Sequence, residues 1–224
     1  RLRVGALPRY PANALNYNLT WSTDGLINEY DRPCDAVVGG RLVEVPPLEG
    51  LESFSLDGMA YEAFNTSGGL GPLAETLAGA VRELNYKTIR YPGHRDIVKL
   101  LIQDLCLGQR PELLRDIFET ALPTTGQDLV LIFVSASGRR NGRLVQDTYV
   151  NKIYSAPLAG AMRTAIQITT ASALCAVLDL LATGALPRAG LIRQEDIPLP
   201  LFLANRFGRV FAGESAALPL GQVA

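Results

Sequence analysis

The sequence predicts an α+β domain, a mixed and largely antiparallel sheet with helices packed on it. Three observations predict it. Strand-like and helix-like segments follow one another without the strict strand–helix–strand rhythm of a doubly wound parallel fold. The most β-prone stretch, Asp128–Ser135, runs into a basic turn over Gly138–Gly142 and a returning segment Arg143–Ile153, which reads as an antiparallel hairpin. A strand leading into G-x-G-x-x-G does not occur. Thr66-Ser67-Gly68-Gly69-Leu70-Gly71 echoes that fingerprint only in part and lacks its acidic partner about 20 residues on.

The elements follow in order. Residues 1–8 read as a strand or linker ending in Leu7-Pro8, and Leu15–Thr20 alternates weakly. Trp21–Gly25 reads as a turn or cap leading into a short helix over Leu26–Tyr30. Arg41–Val45 alternates apolar and charged residues, a strand entered from Gly39-Gly40. Tyr61–Asn65 is another strand. Pro72 suits a first helical turn, and Leu73, Leu77, Val81 and Leu84 mark one helical face through about Leu84. Tyr86–Arg90 reads as a strand. Asp96–Leu107 reads as a helix with Ile97, Leu100, Leu101 and Leu105 inward, stopped by Gly108. Pro111–Ala121 is a helix opened by one proline and closed before another, Pro123. Leu158–Thr183 reads as one long helix with a possible break near Thr169-Thr170, and Asp196–Phe207 as a last helix in a proline-rich tail.

Composition narrows the function classes. The chain has 224 residues, 48% of them hydrophobic, enough to fill a sizeable core. The 21 basic and 22 acidic residues balance to a net charge of -1, so neither a nucleic-acid stripe nor a basic membrane surface is expected. The most apolar run, Ala171–Thr183, carries Asp179 and reads as too short to cross a bilayer. A single histidine and no paired Cys motif argue against a metal site. Cys34, Cys106 and Cys175 lie far apart, and the latter two sit in apolar helical stretches. Buried thiols in a reducing cytoplasm are expected. The opening Arg1-Leu2-Arg3-Val4-Gly5-Ala6 reads as mid-strand, which predicts a longer protein upstream.

The chemistry concentrates in residues 86–94, Tyr-Lys-Thr-Ile-Arg-Tyr-Pro-Gly-His. A strand there meets a turn and a helix start, and such corners attract ligands and anions. Arg90 offers a fork for a carboxylate; its alternative is a surface ion pair. His94 offers substrate binding or proton shuttling; its alternative is a helix-cap hydrogen bond. Tyr91, held extended by Pro92, points into a cleft or into the core. Thr66 and Ser67 end a strand before two glycines, with hydroxyls for a substrate carboxylate or for a plain ST-turn. Asp24 and Glu29 offer partners for a substrate amine; Asp24 is otherwise a turn former, Glu29 reads rather as a solvated charge, and Trp21 as core. The Arg139-Arg140-Asn141-Gly142-Arg143 cluster reads as a solvated hairpin tip; its alternative is contact with the phosphates of a cofactor held by another domain.

Three further stretches carry a resemblance. Leu15-Asn16-Tyr17 with Trp21-Ser22-Thr23-Asp24-Gly25-Leu26-Ile27-Asn28-Glu29-Tyr30, then Glu62-Ala63-Phe64-Asn65-Thr66-Ser67-Gly68-Gly69, then Lys87-Thr88-Ile89-Arg90-Tyr91-Pro92-Gly93-His94 together resemble the C-terminal domain of saccharopine dehydrogenase-like oxidoreductases over about residues 5–105. Met162-Arg163-Thr164 and the Gly190–Glu195 stretch resemble the family's ending more loosely. The Asn-Glu-Tyr, Thr-Ser-Gly-Gly and Arg-Tyr-Pro-Gly-His forms look closest to the lysine 6-dehydrogenase branch. One departure is marked. Saccharopine reductases resemble one another in an arginine after Trp-Ser-Ser, and here that position looks like Asp24, which favours a cationic amine.

The resemblance implies a specific division of labour. A Rossmann domain upstream of this chain holds NAD or NADP, residues 1–157 form the α+β substrate-binding domain, and 158–224 form a helical return segment. The implied protein is a homodimeric, cytoplasmic oxidoreductase that transfers hydride at a carbon–nitrogen bond of a small amino acid or diamine. This chain alone is expected to be inactive. His94 is the implied catalytic residue; Arg90, Tyr91, Asp24, Thr66 and Ser67 bind substrate; Arg163 and Thr164 face the cofactor. Two other outcomes stay open: a non-catalytic dimerisation or binding module of the same fold, and a reductase resembling carboxynorspermidine dehydrogenase.

Overall fold

The computed structural model describes residues 1–158 and 160–213. In chain order its elements are β1 (Leu2–Pro8), α1 (Thr23–Asp31), β2 (Cys34–Val38), β3 (Arg41–Val45), β4 (Glu52–Leu56), β5 (Met59–Phe64), α2 (Leu73–Leu77), β6 (Glu83–Leu84) and β7 (Tyr86–Arg90). They continue with α3 (His94–Lys99), α4 (Pro111–Ala121), β8 (Asp128–Arg140), β9 (Arg143–Tyr154), β10 (Ala156–Leu158), β11 (Ala161–Arg163), α5 (Ala165–Ala182) and α6 (Leu199–Ala204). The main sheet has six strands in the order β4-β5-β7-β1-β8-β9; only the β1–β7 pair is parallel. A three-stranded sheet, β3-β2-β6, and a ribbon, β10-β11, complete the strands. The mixed, mostly antiparallel α+β class is as predicted.

Register decides which side chains share a face. Val4 pairs with Thr88 and Ile132, and Phe64 with Thr88. Because side chains alternate along a strand, this face carries Val4, Ala6, Thr88, Arg90, Phe64, Val130 and Ile132. Helices cover it in two patches. Tyr17, Leu26, Tyr30, Phe64, Val98, Ile102, Leu114 and Phe118 form one core, from α1, α3, α4 and the loop before α1. Val130, Ile153 and Ala165, with Val4, Ala6 and Ile132 against them, form the other beneath α5.

Among the described residues no helix joins the core on the opposite face, yet Leu7, Tyr61, Ala63, Ile89, Leu129 and Leu131 are buried on it. The sheet buries them by curling on itself. Phe54 on β4 meets Phe133 on β8 with ring centroids 6.5 Å apart, although three strands lie between them. Lys152 on β9 reaches Asp57 in the β4–β5 turn at 2.9 Å. Glu52 on β4 bridges past β5 to Lys87 and Arg3, at 2.6 and 2.9 Å. The twist native to strands supplies the curl, and these contacts hold it.

Several elements depart from their sequence reading, each for a local reason. The helix expected from Pro72 to about Leu84 stops at Leu77, because Glu83–Leu84 pairs with β2 instead. Strands β2 and β4 were not predicted; each is a short ladder beside a hairpin partner. The helix after His94 widens into a π-helical turn over Leu100–Asp104. One extra residue per turn shifts the apolar face, so Val98 and Ile102 point inward while Leu100 and Leu105 are exposed. Cys106 follows that turn in a left-handed conformation (φ 56°) and is exposed, not buried. The β8–β9 hairpin is longer than expected and turns on Asn141-Gly142, both at positive φ as its two-residue turn requires.

The expected helix from Leu158 begins seven residues later. The β10–β11 ribbon pairs Ala156–Leu158 with Ala161–Arg163, and Thr164 then caps α5 reciprocally with Gln167. Asp128, fully buried on β8, accepts from Ala165 N and Ile166 N at 2.6 and 3.1 Å. α5 is unbroken at Thr169-Thr170, where Thr169 donates its hydroxyl to Ala165 O at 2.9 Å. Its 18 residues, mean hydropathy 1.7, make it long and apolar enough to cross a membrane by length and composition, contrary to the shorter sequence reading. Here it lies on β8 and β9 with 33% of it buried.

Candidate functional site

The site is built on β7, α1 and the start of α3. Ser22 caps α1, its Oγ accepting from Gly25 N at 3.2 Å, and α1 then carries Glu29 and Tyr30 over the helix-covered face. At the end of β7 the chain turns through Gly93 at φ 93° into α3. Glu62, opposite Arg90 on β5, accepts from Gly93 N and Arg95 N at 2.9 and 2.7 Å. A buried carboxylate thus satisfies the free N–H groups that open α3.

Arg90 is 2% exposed and His94 0%. One phenol joins them: Arg90 Nε donates to the Tyr30 hydroxyl at 2.9 Å, and that oxygen lies 2.9 Å from His94 Nε2. The tautomer follows from the other ring nitrogen. His94 Nδ1 faces Leu15 O at 3.0 Å, and a carbonyl only accepts, so Nδ1 carries the proton. Nε2 therefore accepts, and Tyr30 donates to it. Arg90 Nη1 donates to Ile89 O at 2.9 Å, and the guanidinium carbon lies 5.1 Å from the centroid of the Tyr17 ring. Nη2 faces Glu29 Oε2 at 3.8 Å, ion-pair distance but beyond a hydrogen bond.

The electrostatics follow from burial. Burial first, then the Arg90 charge, hold the His94 imidazole far below its ordinary 6.5, at about 3. Burial pushes the Tyr30 phenol up. Arg90 keeps its proton firmly: burial works against the charge, but Tyr30, Tyr17 and Glu29 outweigh it. Burial raises the Glu29 carboxyl, which Arg90 partly offsets.

Beside this core a hollow of about 80 Å³ is lined by Asp35, Thr66, Gly68, Gly69, Leu70, Gly71 and Tyr86. Thr66 shares a 2.6 Å hydrogen bond with Thr88. Ser67 ties the loop to the end of α1, its N donating to Glu29 O at 3.0 Å and its Oγ to Asn28 O at 3.1 Å. Gly69 lets the loop close on Tyr86, since a Cβ there would stand 2.2 Å from that ring. Burial first, then the Glu29 charge, push the Tyr86 phenol up to about 12. A larger open groove of about 600 Å³ between α2 and Leu191–Gln194 holds none of the predicted residues.

Residues 1–205 match the family described as saccharopine dehydrogenase C-terminal domain. The chain belongs to that family. It is similar in fold to an apo saccharopine dehydrogenase (L-Glu forming) from Saccharomyces cerevisiae, with a TM-score of 0.59 and 15% identity. That match covers 80% of this chain and 58% of the yeast chain, so this chain spans under two thirds of its relative. Membership associates the chain with dehydrogenases.

Within this saccharopine dehydrogenase C-terminal domain the predicted residues separate. Arg90 and His94 meet through Tyr30, and Thr66 and Ser67 stand beside them. Tyr91 does not join them: the strand's alternation turns it to the curled face, stacked on Tyr61 at 5.8 Å, its hydroxyl donating to Pro8 O at 2.9 Å. Asp24 lies at the surface, paired with Arg115 at 3.5 Å. His94 is sealed, with both ring nitrogens engaged, so it props Tyr30 and reaches no solvent. Arg163 is exposed on β11, and Thr164 caps α5. Sequence reasoning passed over Tyr30, Thr88, Glu62 and the placement of Glu29. The signal for Thr88 and Tyr86 was present: both lie at even steps from Arg90 along one strand.

Proposed function

We propose that this domain is the substrate side of an NAD(P)-dependent oxidoreductase acting at a carbon–nitrogen bond of an amino acid, in the manner of saccharopine or lysine 6-dehydrogenases. The observation that carries the reading is Arg90. Its guanidinium is buried, braced by Tyr30 and Ile89 O, and its outer nitrogen faces a single carboxylate beyond hydrogen-bond reach. A fixed fork of that kind suits a substrate carboxylate. A nicotinamide dinucleotide, held mainly by a domain outside this chain, supplies the hydride acceptor in this reading. Exposed Arg163 fits a cofactor phosphate, whereas the Thr164 hydroxyl is already engaged at the α5 cap. His94 acts through Tyr30 as a positioning residue.

In the full-length protein, Arg90→Ala is expected to raise KM for a carboxylated amine by about 30- to 100-fold, the worth of one charge-assisted bidentate contact. Arg90→Lys, which keeps the charge and loses the fork, should fall between. Steady-state kinetics on both variants checks this, and an unchanged KM in Arg90→Lys and Arg90→Ala alike removes Arg90 from the site.

Pairing of two copies and a cytoplasmic location belong to the same reading. The outer face of α5 supports the first: Leu174, Leu178 and Leu181 are exposed at heptad-like spacing, and Asp179 is held by Asn205 and Arg206 at 2.7 Å. The three free cysteines suit a reducing compartment. Sedimentation should show a dimer that Leu174→Asp with Leu178→Asp converts to monomer; a monomeric parent protein removes this part.

A further inference from the structure

Arg9 and a group of tyrosines meet on the curled face, on the far side of the sheet from Arg90. The place is the end of the sheet where β1 finishes at Pro8, β7 runs into Tyr91 and β9 finishes at Tyr154. The Arg9 backbone is fixed there, its N donating to Gln127 O at 2.9 Å. Its guanidinium carbon stands 5.1 Å from the centroid of the Tyr154 ring and 5.3 Å from that of Tyr10, within cation–π range of both. One residue back, Pro8 O accepts from the Tyr91 hydroxyl at 2.9 Å, and Tyr91 stacks on Tyr61.

Donors outnumber acceptors at this end. The Arg9 guanidinium has no hydrogen bond or ion pair among the described residues, and the Tyr61 and Tyr154 hydroxyls have no hydrogen bond there either. Tyr61 is only 3% exposed, so its hydroxyl is a donor held within the fold without an acceptor. The acceptors close by are used: Pro8 O takes the Tyr91 hydroxyl, and Asp57 takes Lys152 at 2.9 Å. Lys152 is thereby neutralised and Arg9 is the unmatched charge. Burial raises the Tyr61 phenol against the pull of Lys152, and raises that of Tyr91 to about 12 against the pull of Arg9. Tyr61 therefore keeps a proton to donate at neutral pH.

We propose that Arg9, with the hydroxyls of Tyr61 and Tyr154, forms a site for the phosphate group of a small ligand at this end of the curled face. A guanidinium presents its N–H groups in one plane, and the phenols add donors from β5 and β9. A phosphate has enough terminal oxygens to accept from all three side chains, whereas a carboxylate has two. Tyr10, 64% exposed, leaves a ring face open to the body of a phosphate ester. The site is separate from the Arg90 corner, because alternation turns Arg90 and Tyr91 to opposite faces of the sheet.

The test uses the full chain at neutral pH and about 0.15 M ionic strength, where distant charges are screened. The probes are inorganic phosphate, phenyl phosphate and acetate, and binding is read by backbone amide NMR shifts at Arg9, Tyr10, Gln127 and Tyr154. Both phosphates should saturate these shifts with a Kd of about 1 mM or below, and acetate should bind about tenfold more weakly. Tighter binding of phenyl phosphate assigns the site to an ester and equal binding assigns it to the free ion; either upholds the proposal. Arg9→Ala should weaken phosphate about tenfold or more, with Arg9→Lys between. Tyr61→Phe, which keeps the stack on Tyr91, should cost about three- to tenfold. Arg139→Ala, at the exposed hairpin tip, should change nothing. The proposal is overturned by the absence of saturable shifts with either phosphate, by acetate binding as tightly, by parental affinity in Arg9→Ala or Tyr61→Phe, or by an equal loss in Arg139→Ala.

Discussion

Glu52→Gln is expected to destabilise the domain by about 2–3 kcal/mol. Arg3 and Lys87 are nearly buried, at 3% and 8% exposure, and both rely on this one carboxylate. Breaking a buried charge cluster by removing one member costs about 3–5 kcal/mol, and the 40% exposure of the Glu52 side chain reduces that through solvent screening. The glutamine also releases β4 from β1 and β7, so the curl of the sheet loses its clamp. Urea unfolding monitored by circular dichroism measures the loss. A midpoint equal to the parent's would show that the curled core holds without the clamp.

The same carboxylate confers a pH dependence with a defined sign. Burial pushes Glu52 up, but hydrogen bonds and charge from Arg3 and Lys87 prevail and hold it at about 2, against an ordinary 4.5. The folded state therefore binds its proton later than the unfolded chain. The stability it contributes is complete above 4.5 and is lost as the pH falls toward 2. In Glu52→Gln this acid slope should flatten.

The second large effect comes from His94 and operates at higher pH. Its ring stays neutral in the fold down to about 3, while the unfolded chain protonates it near 6.5. The unfolded state thus gains protons first, and stability falls as the pH drops from 6.5 toward 3. At pH 5 the loss is about 2 kcal/mol, from 1.36 kcal/mol per pH unit over the interval already crossed. His94→Gln should be weaker at neutral pH, because Tyr30 and Leu15 O lose a well-placed partner, yet nearly flat between pH 7 and 5. Denaturant midpoints across that range decide it. A variant that keeps the parent's slope assigns the acid sensitivity to another group. Arg90, which also holds the imidazole down, enters the same experiment: its loss should raise the lower end of this window and shrink the total loss, with the onset near 6.5 unchanged.

Both effects arise from charges that the chain sends indoors. Arg3, Lys87, Arg90, Glu62 and Asp128 are all buried. Three of them serve architecture: the curl (Arg3 and Lys87) and the start of α5 (Asp128). Glu62 and Arg90 serve the corner where β7 enters α3. Those roles explain why mutation at any of them should be read first as a stability change and only then as a change in function.

What the sequence by itself determined is the local repertoire. Pro111 and Pro123 bound α4, Asn141-Gly142 sets a hairpin turn, and the Tyr86–Arg90 run is a strand ending beside His94. These depend on φ preferences and short-range periodicity, which neighbouring residues express without help. The α+β class and the family resemblance were legible for the same reason, since motifs keep their order along the chain. Tertiary structure alone decided the rest. The strand at Glu83–Leu84 replaced a helical end because β2 offered it a ladder, and the β10–β11 ribbon took the first turns of an expected helix. Tyr91 left the site because alternation is absolute once one face of β7 is buried, and His94 became a sealed prop because Tyr30 and Leu15 O, distant in sequence, close on both its nitrogens. Glu29, read from sequence as a solvated charge, became the partner of Arg90 because the fold brings α1 to the end of β7, a long-range contact that no window of sequence contains.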